Sequence, residues 1–194
     1  MNIAAILFAG LSAVLMGTIG VFSKITGLPA ELITFFRLML GAGFMLVFLT
    51  AAGKLHLLKR FPSRPVIISG CFLAGFIIFY IQAMNFTSMA NAIMLVSLAP
   101  VAASVVAHFF LNERLTPAAF SLILLALLGF AMMMEFSIEI SRQSCEFIGI
   151  CFGFLALGSY AGFILCNRII SPHIHVYTSS FYQLLVGAVT MIPF

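Results

Sequence analysis

Apolar residues run along this chain in long stretches, which short clusters of charges, prolines and polar residues interrupt. A helix needs about 20 apolar residues to cross roughly 30 Å of hydrocarbon. Dividing the chain at the polar clusters gives stretches of about this length. The pattern predicts seven membrane-spanning helices, at residues 3–23, 32–52, 66–86, 90–111, 117–134, 147–166 and 176–194.

The composition places this chain in a lipid bilayer. Hydrophobic residues make up 63% of it and charged residues 7%, whereas a soluble domain is about 25% charged. Too little polar surface is therefore available to cover a water-soluble globule. We predict an all-α membrane protein, a multi-span helical bundle. The net charge of +4 comes from few ionic groups and no basic patch, so no nucleic-acid partner is expected.

Cysteine and histidine spacing gives no sign of a metal or cofactor site. The four cysteines lie in or beside apolar stretches without a C-x-x-C pair, which favours buried packing thiols over disulfides or zinc ligands. They are Cys71, Cys145, Cys151 and Cys166. His173 and His175 lack a third ligand nearby in sequence. We expect no metal and no cofactor.

The distribution of basic residues predicts the topology. The connection from Gly53 to Pro65 is the most basic, whereas residues 135–146 hold three acids against Arg142. With a cytoplasmic N-terminus, the inside connections carry six lysines and arginines and the outside connections two. The positive-inside rule therefore favours a cytoplasmic N-terminus. We expect a multi-pass protein of the bacterial cytoplasmic membrane, with 135–146 as an extracytoplasmic connector.

An internal repeat links the second and seventh predicted spans. Residues 35–42 (FFRLMLGA) align with residues 181–188 (FYQLLVGA), and the first span aligns more loosely with the sixth. A repeat of five helices crosses the membrane an odd number of times, so its second copy is inverted. We expect a complete first repeat over 3–134 and two helices of an incomplete second repeat over 147–194. The chain would then be a fragment; a natural seven-helix protein is the alternative.

Several motifs in this order resemble the EamA-type drug/metabolite transporter family. They are Arg37, the segment Tyr80–Ser88, the segment Ser97–Pro100, the sequence Leu111-Asn112-Glu113-Arg114-Leu115, and a proline-initiated fifth helix with Gly129. The resemblance covers the first repeat and the start of the second. It implies ten helices in two inverted halves around a central cavity, lined mainly by the first four helices of each half. It also implies that helices five and ten lie outside and support a possible homodimer.

The function that the resemblance implies is secondary transport of a small molecule. None of the five acids falls in the middle of a span, and Arg37 is the only deeply placed charge. We therefore expect a zwitterionic, anionic or neutral polar substrate, moved by alternating access between the repeats. The alternatives are a non-transporting membrane interaction protein and an intramembrane enzyme. An enzyme would need paired acids, a metal-binding set or an activated nucleophile, and the sequence offers none of these.

Polar residues of the second and third spans are candidates for the substrate cavity. Arg37 either contacts substrate or extends to the interface beside Glu31, because an unpartnered cation inside a membrane is costly. Gln82 and Asn85 share one face of the third span and can bind a ligand or a neighbouring helix.

The fourth span carries a polar stripe beside a proline. Pro100 lacks an N–H group and should kink this helix, while Ser97, Ser104 and His108 fall on one narrow face. This stripe either forms a cavity wall, in which His108 could relay protons, or is satisfied locally. In the second case the serines bond to carbonyls of their own helix and His108 favours its C-terminus.

Three further features of the sequence suggest a role in the cavity, in gating or in helix packing. The Tyr160 hydroxyl either points into the cavity or its ring packs between helices. Glu113 and Arg114 lie at the predicted cytoplasmic end of the fourth span, where a gating or structural role is expected. The pairs Gly149/Gly153 and Gly158/Gly162 predict close helix packing.

Overall fold

The computed structural model describes residues 10, 25–59, 62–110, 121, 124–125, 128–129, 132, 145–170 and 174–192. Every regular element longer than a turn in these ranges is a helix, as predicted. The helices are α1 (Ala30–Ala51), α2 (Arg64–Phe86), α3 (Met89–Ser97), α4 (Ala99–Phe110), α5 (Cys145–Ile170) and α6 (Val176–Thr190), with a 3₁₀ helix at Leu55–Lys59. Apart from isolated positions, the first and fifth predicted spans lie outside the described residues, as do Glu113 and Arg114.

Four segments among the described residues are long and apolar enough to cross a membrane. They are Ala30–Ala51, Arg64–Phe86, Met89–Phe109 and Phe147–Ile170. These segments confirm the second, third, fourth and sixth predicted spans, and the chain is an integral, multi-pass membrane protein.

Local sequence signals set the helix ends. α1 follows Pro29 and ends shortly before Gly53, whose φ of 65° suits a residue without a side chain. A proline lies in the first turn of α2. N–H groups in the first turn of a helix have no intrahelical partner, so the missing N–H of proline costs no hydrogen bond there. Ser88 caps α3, because its hydroxyl accepts a hydrogen bond from the Asn91 N–H at 3.1 Å.

Two predicted helices need correction. The span predicted at 90–111 is two helices, because the ladder breaks at Leu98, whose N–H turns back to the Leu95 carbonyl at 3.3 Å. Pro100 sits in the first turn of α4 and has no N–H to offer the Val96 carbonyl. The helix predicted at 176–194 ends at Thr190 and is 15 residues long, which is about 22 Å of helix.

The prediction that the cysteines are buried was wrong for two of them. Cys71 and Cys151 are exposed at the surface of the bundle, and Cys166 is half-buried. Both exposed residues lie on helices whose faces are apolar all round. Hydrophobicity alone therefore does not identify the packed face.

α2 is the central helix of the described bundle, and it borders α1, α3, α5 and α6. Its buried face carries Ala74, Ile77 and Ile81, which are at most 3% exposed. α5 packs along it in the antiparallel direction, so that Phe72 meets Gly162 at one end of the interface and Thr87 meets Gly149 at the other. This interface holds the stacked contact of Phe76 with Tyr160.

Candidate functional site

The two helices that carry the predicted internal repeat, α1 and α6, cross each other through reciprocal contacts. A β-carbon built on Gly187 would lie 3.1 Å from Leu38 Cδ1, and one built on Gly41 would lie 3.4 Å from Leu184 Cδ2. Leu38 corresponds to Leu184 in the repeat, and Gly41 corresponds to Gly187. Each leucine therefore covers the glycine of the other helix, and the two equivalent helices run antiparallel at their contact.

A buried hydrogen-bonded node joins α2, α5 and α6. The Gln183 side-chain amide donates to Ser69 Oγ at 2.8 Å and to Asn167 Oδ1 at 2.9 Å. Ser69 is 0% exposed and Gln183 4% exposed. Asn167 in turn donates to the Phe163 carbonyl of its own helix at 3.0 Å. The polar groups of the node are thus satisfied by one another, as buried amides in an apolar medium require.

Glycines bring the backbones of α2 and α6 together beside this node. A β-carbon on Gly70 would lie 2.9 Å from Val186 Cβ and 3.0 Å from the Gln183 carbonyl oxygen. A β-carbon on Gly187 would lie 3.2 Å from the Gly70 carbonyl oxygen. Only glycine allows this approach, which is the usual way that helices pack closely in lipid.

Two predicted cavity residues, Arg37 and Tyr160, are connected through a stack of rings. Arg37 is half-buried on α1, and its guanidinium lies within electrostatic range of the Tyr80 phenol. The Tyr80 ring stacks on Phe76 with centroids 5.8 Å apart, and Phe76 stacks on Tyr160 at 4.5 Å. Sequence reasoning did not select Phe76 or Tyr80, although Tyr80 begins one of the motifs.

Gln82 and Asn85 have different surroundings. Gln82 Nε2 donates to Glu31 Oε1 at 3.4 Å, which bridges α2 and α1. Asn85 is exposed, one turn nearer the end of α2. Substrate contact by either amide stays a prediction.

The polar stripe of α3 and α4 lies beside the packed face rather than on it. Ser97 Oγ donates to the Met94 carbonyl at 2.7 Å, and Ser104 Oγ donates to the Pro100 carbonyl at 2.8 Å. The packed face of α4 consists instead of Ala99, Ala103 and Ala107, each 0% exposed.

The remaining stripe residues are less enclosed. Pro100 is exposed, and His108 is half-buried with its ring 5.4 Å from that of Phe109. A role for the stripe as a cavity wall stays a prediction.

Three of the predicted packing glycines are in close contact and one is not. A β-carbon on Gly149 would meet Thr87, one on Gly153 would meet Leu95, and one on Gly162 would meet the Phe72 ring. Gly158 has nothing within 4 Å.

The residues of the buried node were missed at the sequence level. Ser69, Asn167 and Gln183 are polar residues inside apolar stretches, which is itself a signal of contact between helices. Gln183 also takes the position of Arg37 in the repeat alignment. Within the described ranges, no group of three or more metal-ligating side chains comes together.

Comparison with known proteins identifies relatives that are named as transporters. The chain is 29% identical over 187 residues to the uncharacterized transporter YxxF of Bacillus subtilis, which covers 95% of this chain and 60% of the relative. It is 28% identical over 166 residues to the pseudopaline exporter CntI of Pseudomonas aeruginosa, covering 86% and 56%. An uncharacterized transporter of Archaeoglobus fulgidus is 30% identical over 186 residues, covering 95% and 63%.

The chain therefore spans about three fifths of the length of the curated relatives it matches. No solved structure matches it. The names of the relatives point to transport rather than to catalysis. The family model of EamA-like transporters matches residues 3–135, and the chain belongs to the EamA-like transporter family.

Proposed function

We propose that the protein is a secondary transporter that moves a small polar metabolite across a membrane by alternating access between two inverted repeats. In this mechanism one half rocks against the other around a shared site. Family membership supports transport in general. The name of the pseudopaline exporter favours export as the direction.

The reciprocal crossing of α1 and α6 is the observation that carries this proposal. Two helices related by an inverted repeat run in opposite directions, and a two-fold axis between them makes every contact occur twice. The pairs Leu38–Gly187 and Leu184–Gly41 have this arrangement. Small residues at such a crossing also let the helices slide past each other without opening a void.

Arg37 is the group that we assign to the substrate. It lies within electrostatic range of Tyr80, the first ring of the stack, and a half-buried cation needs a compensating partner. A carboxylate of an anionic or zwitterionic metabolite would supply that partner, and the stack formed by Tyr80, Phe76 and Tyr160 would contact its less polar part.

Replacing Arg37 with Gln tests the assignment. In vesicles that contain the full-length gene product, Arg37→Gln should reduce uptake of an anionic or zwitterionic substrate by at least about tenfold, because a charge-assisted bond contributes more than 1.4 kcal/mol. Arg64→Gln is the matched control, because Arg64 is exposed at the start of α2. Uptake that is unchanged in Arg37→Gln would remove the assignment.

Labelling of intact cells checks the orientation. We place the protein in a bacterial cytoplasmic membrane with the N-terminus and the basic connection between α1 and α2 on the cytoplasmic side. An impermeant amine reagent added to intact cells should then leave Lys54 unmodified. Modification of Lys54 from outside the cell would indicate the opposite topology. A homodimer stays a prediction of the family resemblance.

A further inference from the structure

The connection between α1 and α2 is held against the first turns of α6 by two hydroxyl groups. Thr178 Oγ1 donates to the Leu57 carbonyl at 3.2 Å, and the Tyr182 hydroxyl donates to the Leu58 carbonyl at 2.7 Å. Both acceptors belong to the 3₁₀ helix Leu55–Lys59.

Tyr177 extends this contact toward the end of α1. Its ring meets Phe48 edge-on with centroids 5.7 Å apart, and Lys54 Nζ lies 5.1 Å from its centroid. The second distance is within range of a cation–π interaction. We call the contacts of Tyr177, Thr178 and Tyr182 with the connection the clasp.

Residues of the clasp line a small cavity at this end of the bundle. The cavity measures about 110 Å³, and Pro62, Val66, Ser179 and Tyr182 are among its lining residues. Thr178 and Ser179 are 4% and 6% exposed. Among the described residues, these two side chains therefore have almost no access to solvent. At the opposite end, α1 and α2 are bridged by the longer Glu31–Gln82 bond of 3.4 Å.

The clasp joins segments that the proposed mechanism must move apart. The connection belongs to the predicted first repeat and α6 to the second, so rocking of one against the other changes the distance between them. We infer that the clasp is the gate at the basic end of the protein, and that its release opens a path from that end toward Ser179. This inference rests on the proposed function, since it assumes motion between the repeats.

The chemistry of the clasp suits a gate that opens repeatedly. Each hydroxyl donates to a main-chain carbonyl at the end of the bundle, where water can take its place on opening. The buried Gln183 node has no such substitute, because Ser69 and Gln183 are almost completely enclosed. A net hydrogen bond of ordinary strength changes an equilibrium about fivefold.

The test uses a thiol placed under the clasp. In a background without Cys71, Cys145, Cys151 and Cys166, Ser179→Cys is reacted with a charged, impermeant thiol reagent in lipid nanodiscs of the full-length protein. Adding Tyr182→Phe and Thr178→Val removes both hydroxyls while keeping the ring and the branched shape. The reaction rate at position 179 should rise by about fivefold for each hydroxyl removed.

Matched controls make the same chemical changes away from the clasp. Thr34→Val and Thr190→Val each remove a hydroxyl that donates to a carbonyl of its own helix. Together they should leave the rate unchanged. If the double change impairs folding, Tyr182→Phe alone serves as the milder variant. It should give about half the effect on a logarithmic scale.

The outcomes separate this inference from the proposed function. An unchanged rate at position 179 in both Tyr182→Phe and the double variant, with transport intact, overturns the gate. A raised rate in a protein that transports nothing supports the clasp as a closing contact and overturns the proposed transport. Equal rate increases in the controls and the clasp variants overturn the gate as well.

Discussion

The two interfaces of α5, one with α2 and one with α4, are built differently. Against the α2 end, Gly149 lets the backbone of Thr87 come so close that a side chain would have no room. α4 also borders α5, and its buried face consists of three alanines that are fully covered, with no close glycine–backbone contact among the described residues of α4. In lipid the hydrophobic effect does not drive helices together, so close approach and hydrogen bonds decide how firmly they associate. We infer that, in the closed state that the structure shows, α5 is held more firmly to α2 than to α4, so that α4 is the more loosely attached helix.

The largest effect is expected where a glycine meets backbone. A β-carbon at position 149 would lie 2.7 Å from Thr87 N and 2.9 Å from Phe86 C. Gly149→Ala should therefore lower the free energy of unfolding by about 1–3 kcal/mol, the usual cost of overpacking. Gly158→Ala, on the same helix with nothing within 4 Å, should be neutral or stabilise by up to about 1 kcal/mol. Thermal unfolding in detergent measures both. Similar shifts would show that the α2 interface is no tighter than the open surface.

An intermediate effect is expected at the buried node. Gln183→Leu removes both donors and leaves Ser69 Oγ and Asn167 Oδ1 without them, so stability should fall by about 1–2 kcal/mol. Asn85→Leu makes the same change at an exposed amide, where about 0.5 kcal/mol or less is expected. Denaturant titration of the two variants compares them directly. A Gln183→Leu protein as stable as the parent would mean that the node does not hold the three helices together.

The smallest effect is expected on α4. In the described part of the chain, Ser104 donates to the Pro100 carbonyl of its own helix. Ser104→Ala should therefore change stability by no more than about 0.5 kcal/mol. Ser69→Ala, which removes a partner of Gln183, is the contrasting variant and should cost more. A large loss of stability in Ser104→Ala would contradict the loose attachment of α4. Reduced transport at unchanged stability would instead support a place for Ser104 in the cavity wall.

Helix positions could be predicted where the chain has strong local signals. Pro29 and Gly53 flank α1, and the prediction of 32–52 differs from Ala30–Ala51 by two residues at most. Pro100 correctly marked an interruption of the fourth span. The sequence could not distinguish a kink from a full break, because the outcome depends on how the turn at Leu98 packs.

Helix faces could not be predicted in the same way. Phe72 and Phe76 lie one turn apart on α2, yet their exposed fractions are 37% and 7%. When every side of a helix is apolar, periodicity no longer distinguishes lipid from protein neighbours. The sequence was sufficient to single out Arg37, because it is a charged residue within a predicted apolar span. Its proximity to Tyr80 required the three-dimensional structure, since the two residues lie on different helices.

The paired leucine and glycine contacts also have a historical implication. In an interface with two-fold symmetry, the same side chains occur on both sides. A single substitution in an ancestral half-length protein would therefore have improved both of the equivalent contacts. Fusion of two such genes would preserve these contacts, and the other positions of the two halves could then change independently. Such an origin would retain the matching leucines and glycines. It would permit Arg37 and Gln183, which occupy the same position of the repeat alignment, to diverge.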